Sequence, residues 1–426
     1  MNALDRRTPP PVRPFGHMVL PPERVTTLSN GTRVHVMADP SCPIARVCIV
    51  GEGGKDEAPT QALAAVAAKL LPEGSALYDS DTTADMMDFR GAALHGNCAD
   101  HFTRLDLSVP SSSLSELLPV AFALVNEPRF PDGRMESVKS QLAAQSAYSR
   151  SRVDNIASKA AFSLIAGAES PQVRFAEPDD FSSIAREQVL RRLALVFRAR
   201  GIHVFLSGNI TPEHERAVCA LAETFADGDA RPLNVVPFAP RPPQTVHIPH
   251  PGAEQCAVQV MIPTIPRSHP DYLPLRFAVT ALGGFFGSRL MQNIREEKGL
   301  TYGITSSLCG VREGSYIDIS AQCAPQYAEQ LLDELRAELR AMATRALSDD
   351  ELLRTRLYEQ TRLAAALDNA IATGDHYITS LIVGMPDDYF SRQEKVTADI
   401  TAAQIAEVSA LYLDADKMRT VIVGLD

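Results

Sequence analysis

The sequence has no surplus of positive charge: 41 Lys and Arg stand against 52 Asp and Glu, a formal net charge of −11. A surface built for a polyanion is not supported, and nucleic acid is not an expected partner. No apolar run is long enough to span a bilayer, so no membrane partner is expected either. The opening stretch MNALDRRTPPPVRPFGHMVLPPE has an arginine pair, but prolines follow where a secretory signal would carry a continuous apolar segment. No C-x-x-C pair occurs among the seven cysteines, Cys42, Cys48, Cys98, Cys219, Cys256, Cys309 and Cys323. An odd, scattered set reads as reduced, mostly buried thiols of a cytoplasmic protein.

Motifs for self-contained chemistry are also missing. There is no G-x-S-x-G elbow, and Ser111 to Ser113 precede a helical pattern that they are placed to cap. GEGGKDE, residues 51–57, lacks the spacing and the Lys-Ser or Lys-Thr of a phosphate-cradling loop. His247 and His250 form one sequence-near pair and His95 and His101 flank a probable turn, but each pair lacks the three or four converging ligands of a zinc site and reads as surface. Asp179, Asp180, Asp349 and Asp350 sit where helices should start, as the helix dipole favours.

What is present is an order of elements that occurs twice. At 426 residues, 45% of them hydrophobic and 22% charged, the chain should form two to four globular domains. TTLSNGTRVHVMAD and PIARVCIVGEGG read as strands. A loop with acid and proline follows, then the apolar helix QALAAVAAKLL, then the strand pair AALHGNC and FTRLDLSVP. Helical runs come next, and GIHVFLSGNI closes the half as a strand ending at Gly208. From Thr245 the order returns: TVHIPHP, QCAVQVMIPTI, the loop PRSHPDY, the helix LPLRFAVTALGG, the strands TYGITSSLCG and SYIDISAQC, a helical run, and the closing strand MRTVIVGLD. The closing glycines Gly208 and Gly424 are 216 positions apart. The expected fold class is α+β in two duplicated halves, each a mostly antiparallel sheet covered on one face by helices, together making a clamshell. The halves are 1–236 and 245–426, joined by the proline-rich linker 237–244, PFAPRPPQ.

The segment LGGFFGSRLMQNIREEKGLTYG, residues 282–303, suggests chemistry. Arg295 and Tyr302 lie seven positions apart, with Gly299 between them to end the helix. A guanidinium at a helix end and a phenol at the start of a strand can converge on one point. There they can offer hydrogen bonds to a peptide carbonyl and to the oxyanion formed when it is attacked.

This segment resembles the second-half signature of the pitrilysin and insulinase family of zinc metallopeptidases, in which a Gly-Gly turn, Ser-Arg-Leu, Arg-Glu-x-x-Gly-Leu and a Tyr follow in this order. The resemblance extends over nearly the whole chain. It implies that Arg295 and Tyr302 position substrate and support the transition state, with Gly283, Gly284 and Asn97 contributing to substrate binding. The strand near His95 to Thr103 would then add a peptide by edge pairing. The family's zinc motif, His-x-x-Glu-His, falls on DEAPTQALAAVAAKLL, where Ala65 and Lys69 replace the histidines and Ala68 the glutamate. The distal glutamate ligand would fall near KSQLAAQSAYSR, which has no acid. Methyl groups and an ammonium neither ligate a dication nor supply a base, so no metal and no cofactor is expected in this chain.

By the same resemblance, short members work as pairs in which one chain brings zinc and the other the Arg/Tyr pair. The expectation is a metal-free subunit of a heteromeric metallopeptidase, active only with a His-x-x-Glu-His partner that holds zinc and acting on peptides. The alternative is a catalytically inactive subunit, a homodimeric pseudopeptidase that binds peptides or an assembly component.

Overall fold

The computed structural model describes residues 15–425, so the arginine pair and first prolines of the opening stretch lie outside the described residues. The first half contains strands β1 (Arg24–Thr27), β2 (Arg33–Ala38) and β3 (Ile44–Glu52), then helices α1 (Gln61–Leu70) and α2 (Ser80–Arg90). It continues with β4 (Ala93–Cys98), β5 (Phe102–Pro110), α3 (Leu114–Asn126), α4 (Asp132–Ser151), α5 (Val153–Ala166), α6 (Arg186–Val196), β6 (Ile202–Gly208) and α7 (Pro212–Ala222). In the second half come β7 (Gln244–Ile248), β8 (Cys256–Thr264), α8 (Tyr272–Gly283), a π-helical turn (Met291–Glu297), β9 (Thr301–Gly310) and β10 (Ser315–Cys323). The helices α9 (Ala328–Thr344), α10 (Asp349–Ala365), α11 (Ala370–Val383), α12 (Tyr389–Asp399) and α13 (Ala402–Tyr412) precede the closing strand β11 (Arg419–Val423). No helix among the described residues is long and apolar enough to cross a membrane.

The duplication expected from sequence is visible in the strand orders, β1-β2-β6-β3-β5-β4 and β7-β11-β8-β10-β9. Apart from β1 the two are the same sheet. In each, the closing strand pairs parallel with the first strand of the repeat and antiparallel with the second. Gly208 and Gly424 end those strands with φ of 96° and 94°, a backbone state that favours glycine.

Alternation along the strands sends side chains to two faces. In β3, Val47 and Ile49 face the half's own helices, together with Val66 of α1 and Leu117 of α3. Cys48 and Val50 face the other way and meet Ile378 of α11, which belongs to the second half. The second sheet mirrors this: Val258, Val260 and Ile422 pack with α8, α9 and α13. Its opposite face, with Met261, Val421 and Val423, packs on Ala157, Ala161 and Ile165 of α5, from the first half. Each half thus covers one face of its own sheet, as expected, and takes a helix from the other half to cover the second. Full burial of one larger apolar side chain contributes roughly 1.5–3 kcal/mol, so this exchange is a strong bond between halves.

Three local expectations are corrected. Ser111 to Ser113 form a short 3-10 turn instead of a cap: Ser113 gives α3 no side-chain cap, and the Ser111 hydroxyl donates to the Pro43 carbonyl at 2.8 Å. The helical run after Pro325 is two helices, because Ser348 starts α10 with a capping box to Glu351. All seven cysteines are free, but Cys48, Cys256 and Cys323 alone are fully buried.

His101 is the fourth correction. In place of the surface position expected for it, it is buried at the contact between the β4–β5 turn of the first half and the β9–β10 turn of the second. Its Nδ1 lies 2.8 Å from Glu57 Oε1, and its Nε2 is hydrogen-bonded to Glu313. Burial alone would lower the imidazole's pKa, but the two carboxylates raise it to about 10. Phe102, next in the chain, lies under the guanidinium of Arg312, 5.6 Å from ring centroid to Cζ. Turns that occupy equivalent places in the two halves therefore lock together.

Candidate functional site

The Arg/Tyr segment begins where α8 ends. Gly283 is buried there, and a Cβ on it would come within 2.7 Å of Ser306 Oγ and 2.8 Å of the Ser306 nitrogen. A Cβ on Gly284 would meet Thr280 Cα at 2.8 Å. Gly283 lets the helix end press against β9, and Gly284 lets the chain fold back closely on the last turn of α8. Phe285 then stacks on Tyr358 of α10 with centroids 4.9 Å apart, fixing the turn. Arg289, in the Ser-Arg-Leu portion, is buried and forked onto Glu351 at 2.7 and 3.2 Å while donating to the Arg345 and Ala346 carbonyls. That arginine is an anchor for the segment.

Arg295 sits in the π-helical turn, wider than the α-helix its spacing suggests. The turn closes as Lys298 N donates to Asn293 O at 3.1 Å and Leu300 N donates to Ile294 O at 3.0 Å. Gly299, with φ of 63°, supplies the left-handed residue that stops it. Two residues on, β9 has begun, and Tyr302 projects outward with 87% of its surface exposed. The Arg295 Cζ lies 5.0 Å from the Tyr302 ring centroid and 5.0 Å from that of Phe286. The guanidinium is thus within cation–π range of two aromatic rings, and its Nε lies 3.4 Å from Glu296 Oε1. The structure brings the two sequence-chosen residues together. It adds Phe286, which sequence reasoning passes over although its place in the Gly-Gly-Phe-Phe-Gly turn marks it.

Among the described residues β9 is the edge of its sheet, paired with β10 alone, so one side of its backbone has no strand partner there. In the first half β4 is likewise an edge strand, paired with β5, and Asn97 on it is exposed opposite Arg104. α1 lies against β4 so closely that a Cβ on Gly96 would fall 1.8 Å from the Ala68 carbonyl oxygen. On α1, Ala68 is buried, Ala65 half-buried and Lys69 exposed. α4, which packs on α1, carries no carboxylate from Lys139 through Arg150. The donor set needed for a zinc ion at the α1 position is absent from these residues. Of the other histidines considered, His95 and His247 are exposed on β4 and β7.

Residues 183–357, which include Arg295 and Tyr302, match the family described as Peptidase M16 inactive domain. Over those residues the chain is similar to the M16 peptidases, the pitrilysin type. An uncharacterized zinc protease of Mycobacterium bovis is 25% identical to this chain over 340 residues, 77% of this chain and 76% of that protein. An uncharacterized zinc protease of Streptomyces coelicolor is 26% identical over 182 residues, 41% of this chain, and the match spans only 39% of that protein. Among solved structures, the peptidase M16 inactive domain from Pseudomonas fluorescens superposes with a TM-score of 0.85 at 20% identity, covering 95% of this chain and 98% of that one. The duplicated-half fold of this chain is the fold of that structure.

Proposed function

We propose that this chain is the subunit without a catalytic zinc site in a heteromeric M16-type metallopeptidase and supplies Arg295 and Tyr302 to a peptide held against a partner that carries the catalytic zinc. The carrying observation is the exposed stack itself: a phenol 87% exposed, braced by a guanidinium, beside an open strand edge. A tyrosine that served only packing would be covered. Arg295 would hold a substrate carbonyl or carboxylate, and the Tyr302 hydroxyl would donate to the developing oxyanion. Asn97 and β4 offer a second open edge for peptide pairing. Gly283 and Gly284 act in this reading by shaping the turn beneath the stack.

The partner is a homologous chain with His-x-x-Glu-His, and the catalytic zinc resides there. A cytoplasmic setting fits the odd set of seven cysteines, all free thiols. The test is co-expression with such a chain, followed by peptide hydrolysis and metal analysis of each subunit. Hydrolysis that needs both chains and weakens on Tyr302→Phe supports the reading. A complex that binds peptides without cutting them assigns the chain instead to the inactive, peptide-binding class. Full activity of the zinc-bearing chain alone sinks it.

A further inference from the structure

We propose that the junction between the two halves is a divalent-cation site, in which Asp56, His101 and Glu313 hold a first-row transition ion, zinc foremost, that fastens the second half to the first. This inference is independent of the role given to Arg295 and Tyr302, which lie on other elements.

The geometry comes first. One ligand atom from each of the three side chains lies within 4.8 Å of the other two, and all three residues are buried. Asp56 is 5% exposed, and among the described residues neither of its carboxylate oxygens has a hydrogen-bond partner. A buried, unpaired carboxylate is costly, and native proteins resolve such groups with a partner, a proton or an ion.

His101 is prepared as a ligand. Glu57 Oε1 lies 2.8 Å from Nδ1, and Glu57 is itself held by the Gly54 and Asn234 backbone nitrogens at 2.7 and 3.0 Å. A carboxylate on one ring nitrogen orients the imidazole and leaves the other nitrogen to face a metal. That other nitrogen, Nε2, faces Glu313. Binding would exchange the Nε2 proton for the ion: the proton leaves to solvent, and the Glu313 carboxylate moves from the proton to the metal. One imidazole nitrogen with two carboxylate oxygens suits zinc, a water completing four-coordination, better than calcium or magnesium, which take oxygen alone.

The frame is rigid. Residues 53–56 are fastened to the turn at 99–101 by Gly53 N to His101 O at 2.7 Å, Lys55 N to Ala99 O at 2.9 Å and Asp56 N to Asp100 O at 2.9 Å. Gly54 permits that approach, since a Cβ there would lie 2.3 Å from both the Ala99 and Asp100 oxygens. Four carboxylates, Asp56, Glu57, Asp100 and Glu313, surround a single imidazole, with Lys55 near Asp100, Arg192 near Glu57 and Arg312 near Glu313 as counter-charges.

The experiment uses the full chain, stripped with chelator and titrated with zinc against a chelating indicator. Metal content is then measured after desalting, and thermal melts are recorded with and without zinc. The expected result is one zinc per chain and a Tm raised by several degrees. Asp56→Asn and Glu313→Gln should each weaken binding at least a hundredfold, and His247→Ala should not change it. Failure of the stripped wild type to take up zinc at micromolar free ion overturns the proposal and leaves a proton-shared carboxylate–imidazole network. Equal zinc uptake by wild type and both ligand variants overturns it as well. If Asp56→Asn does not fold, Glu313→Gln and the wild-type titration still decide.

Discussion

The guanidinium of Arg295 lies over the ring of Tyr302, 5.0 Å from Cζ to centroid, and the same group lies 5.0 Å from the ring centroid of Phe286. The ring thus carries a cation–π contact, while the side chain as a whole is largely exposed to solvent. Stacking and hydrogen-bond donation can be separated by mutation for that reason.

Tyr302→Phe keeps the stacked ring and removes the donor. In the reconstituted two-chain peptidase, turnover should fall on the order of a hundredfold. Stability should move by no more than about 0.5 kcal/mol, because the hydroxyl is exposed. Peptide turnover and denaturant melts of the purified subunit read the two quantities; an unchanged turnover contradicts the proposed role.

Arg295→Lys keeps the charge and loses the planar fork. A lysine cannot hold a carbonyl bidentately or stack on aromatic rings as a guanidinium does. The variant should raise KM for peptides about tenfold or more while the Tm of the lone chain stays within a few degrees. A Lys variant with wild-type KM would mean that only charge matters at this position.

Much of the Arg/Tyr region is legible in the amino-acid sequence. The glycine turn, the Arg/Tyr spacing, the strand pairs and the repeated closing glycine all leave local marks, because turns, helix ends and alternation are short-range properties. Three things leave no such mark. The stripe of α5, VDNIASKAAFSLIA, shows that a face is buried but not that it packs on the sheet of the other half. His101 reads as a turn histidine because its partner Glu313 is 212 positions away. The buried anchoring of Arg289 depends on Glu351, in a helix whose own cap, Ser348, is hidden in a longer polar run.

That anchor predicts a pH response. Burial would raise the Glu351 carboxyl, but hydrogen bonds from Arg289 and Ser348 hold it down to about 2, below its ordinary 4.5. A group depressed on folding contributes stability that is present above its unfolded value and lost as pH falls through the folded one. Between pH 4.5 and 2 the chain should lose roughly 2 kcal/mol from this pair, less than the full shift because the Glu351 side chain is 25% exposed and screened by solvent. Glu351→Gln should be less stable at pH 7 and flatter across that window. Urea midpoints at about pH 7, 4 and 3 compare the two, and parallel curves would assign the acid sensitivity elsewhere.

Gly96→Ala tests the contact of α1 with β4. The new methyl would fall 1.8 Å from the Ala68 carbonyl oxygen, a backbone atom that cannot step aside alone. Strand and helix must part, at a cost of about 1–3 kcal/mol. The urea midpoint should drop accordingly, and limited proteolysis should find β4 sooner than in the wild type. A midpoint equal to wild type would show that the helix rides farther from the strand.

The reciprocal loan of α5 and α11 constrains how this molecule can move. Swinging the halves apart at residues 237–244 would uncover the second face of both sheets at once, so the linker cannot act as a hinge for substrate entry. A chain nicked there should remain one particle on gel filtration. In the proposed complex, the mouth through which a peptide enters lies between two subunits, and its opening is a property of how they associate.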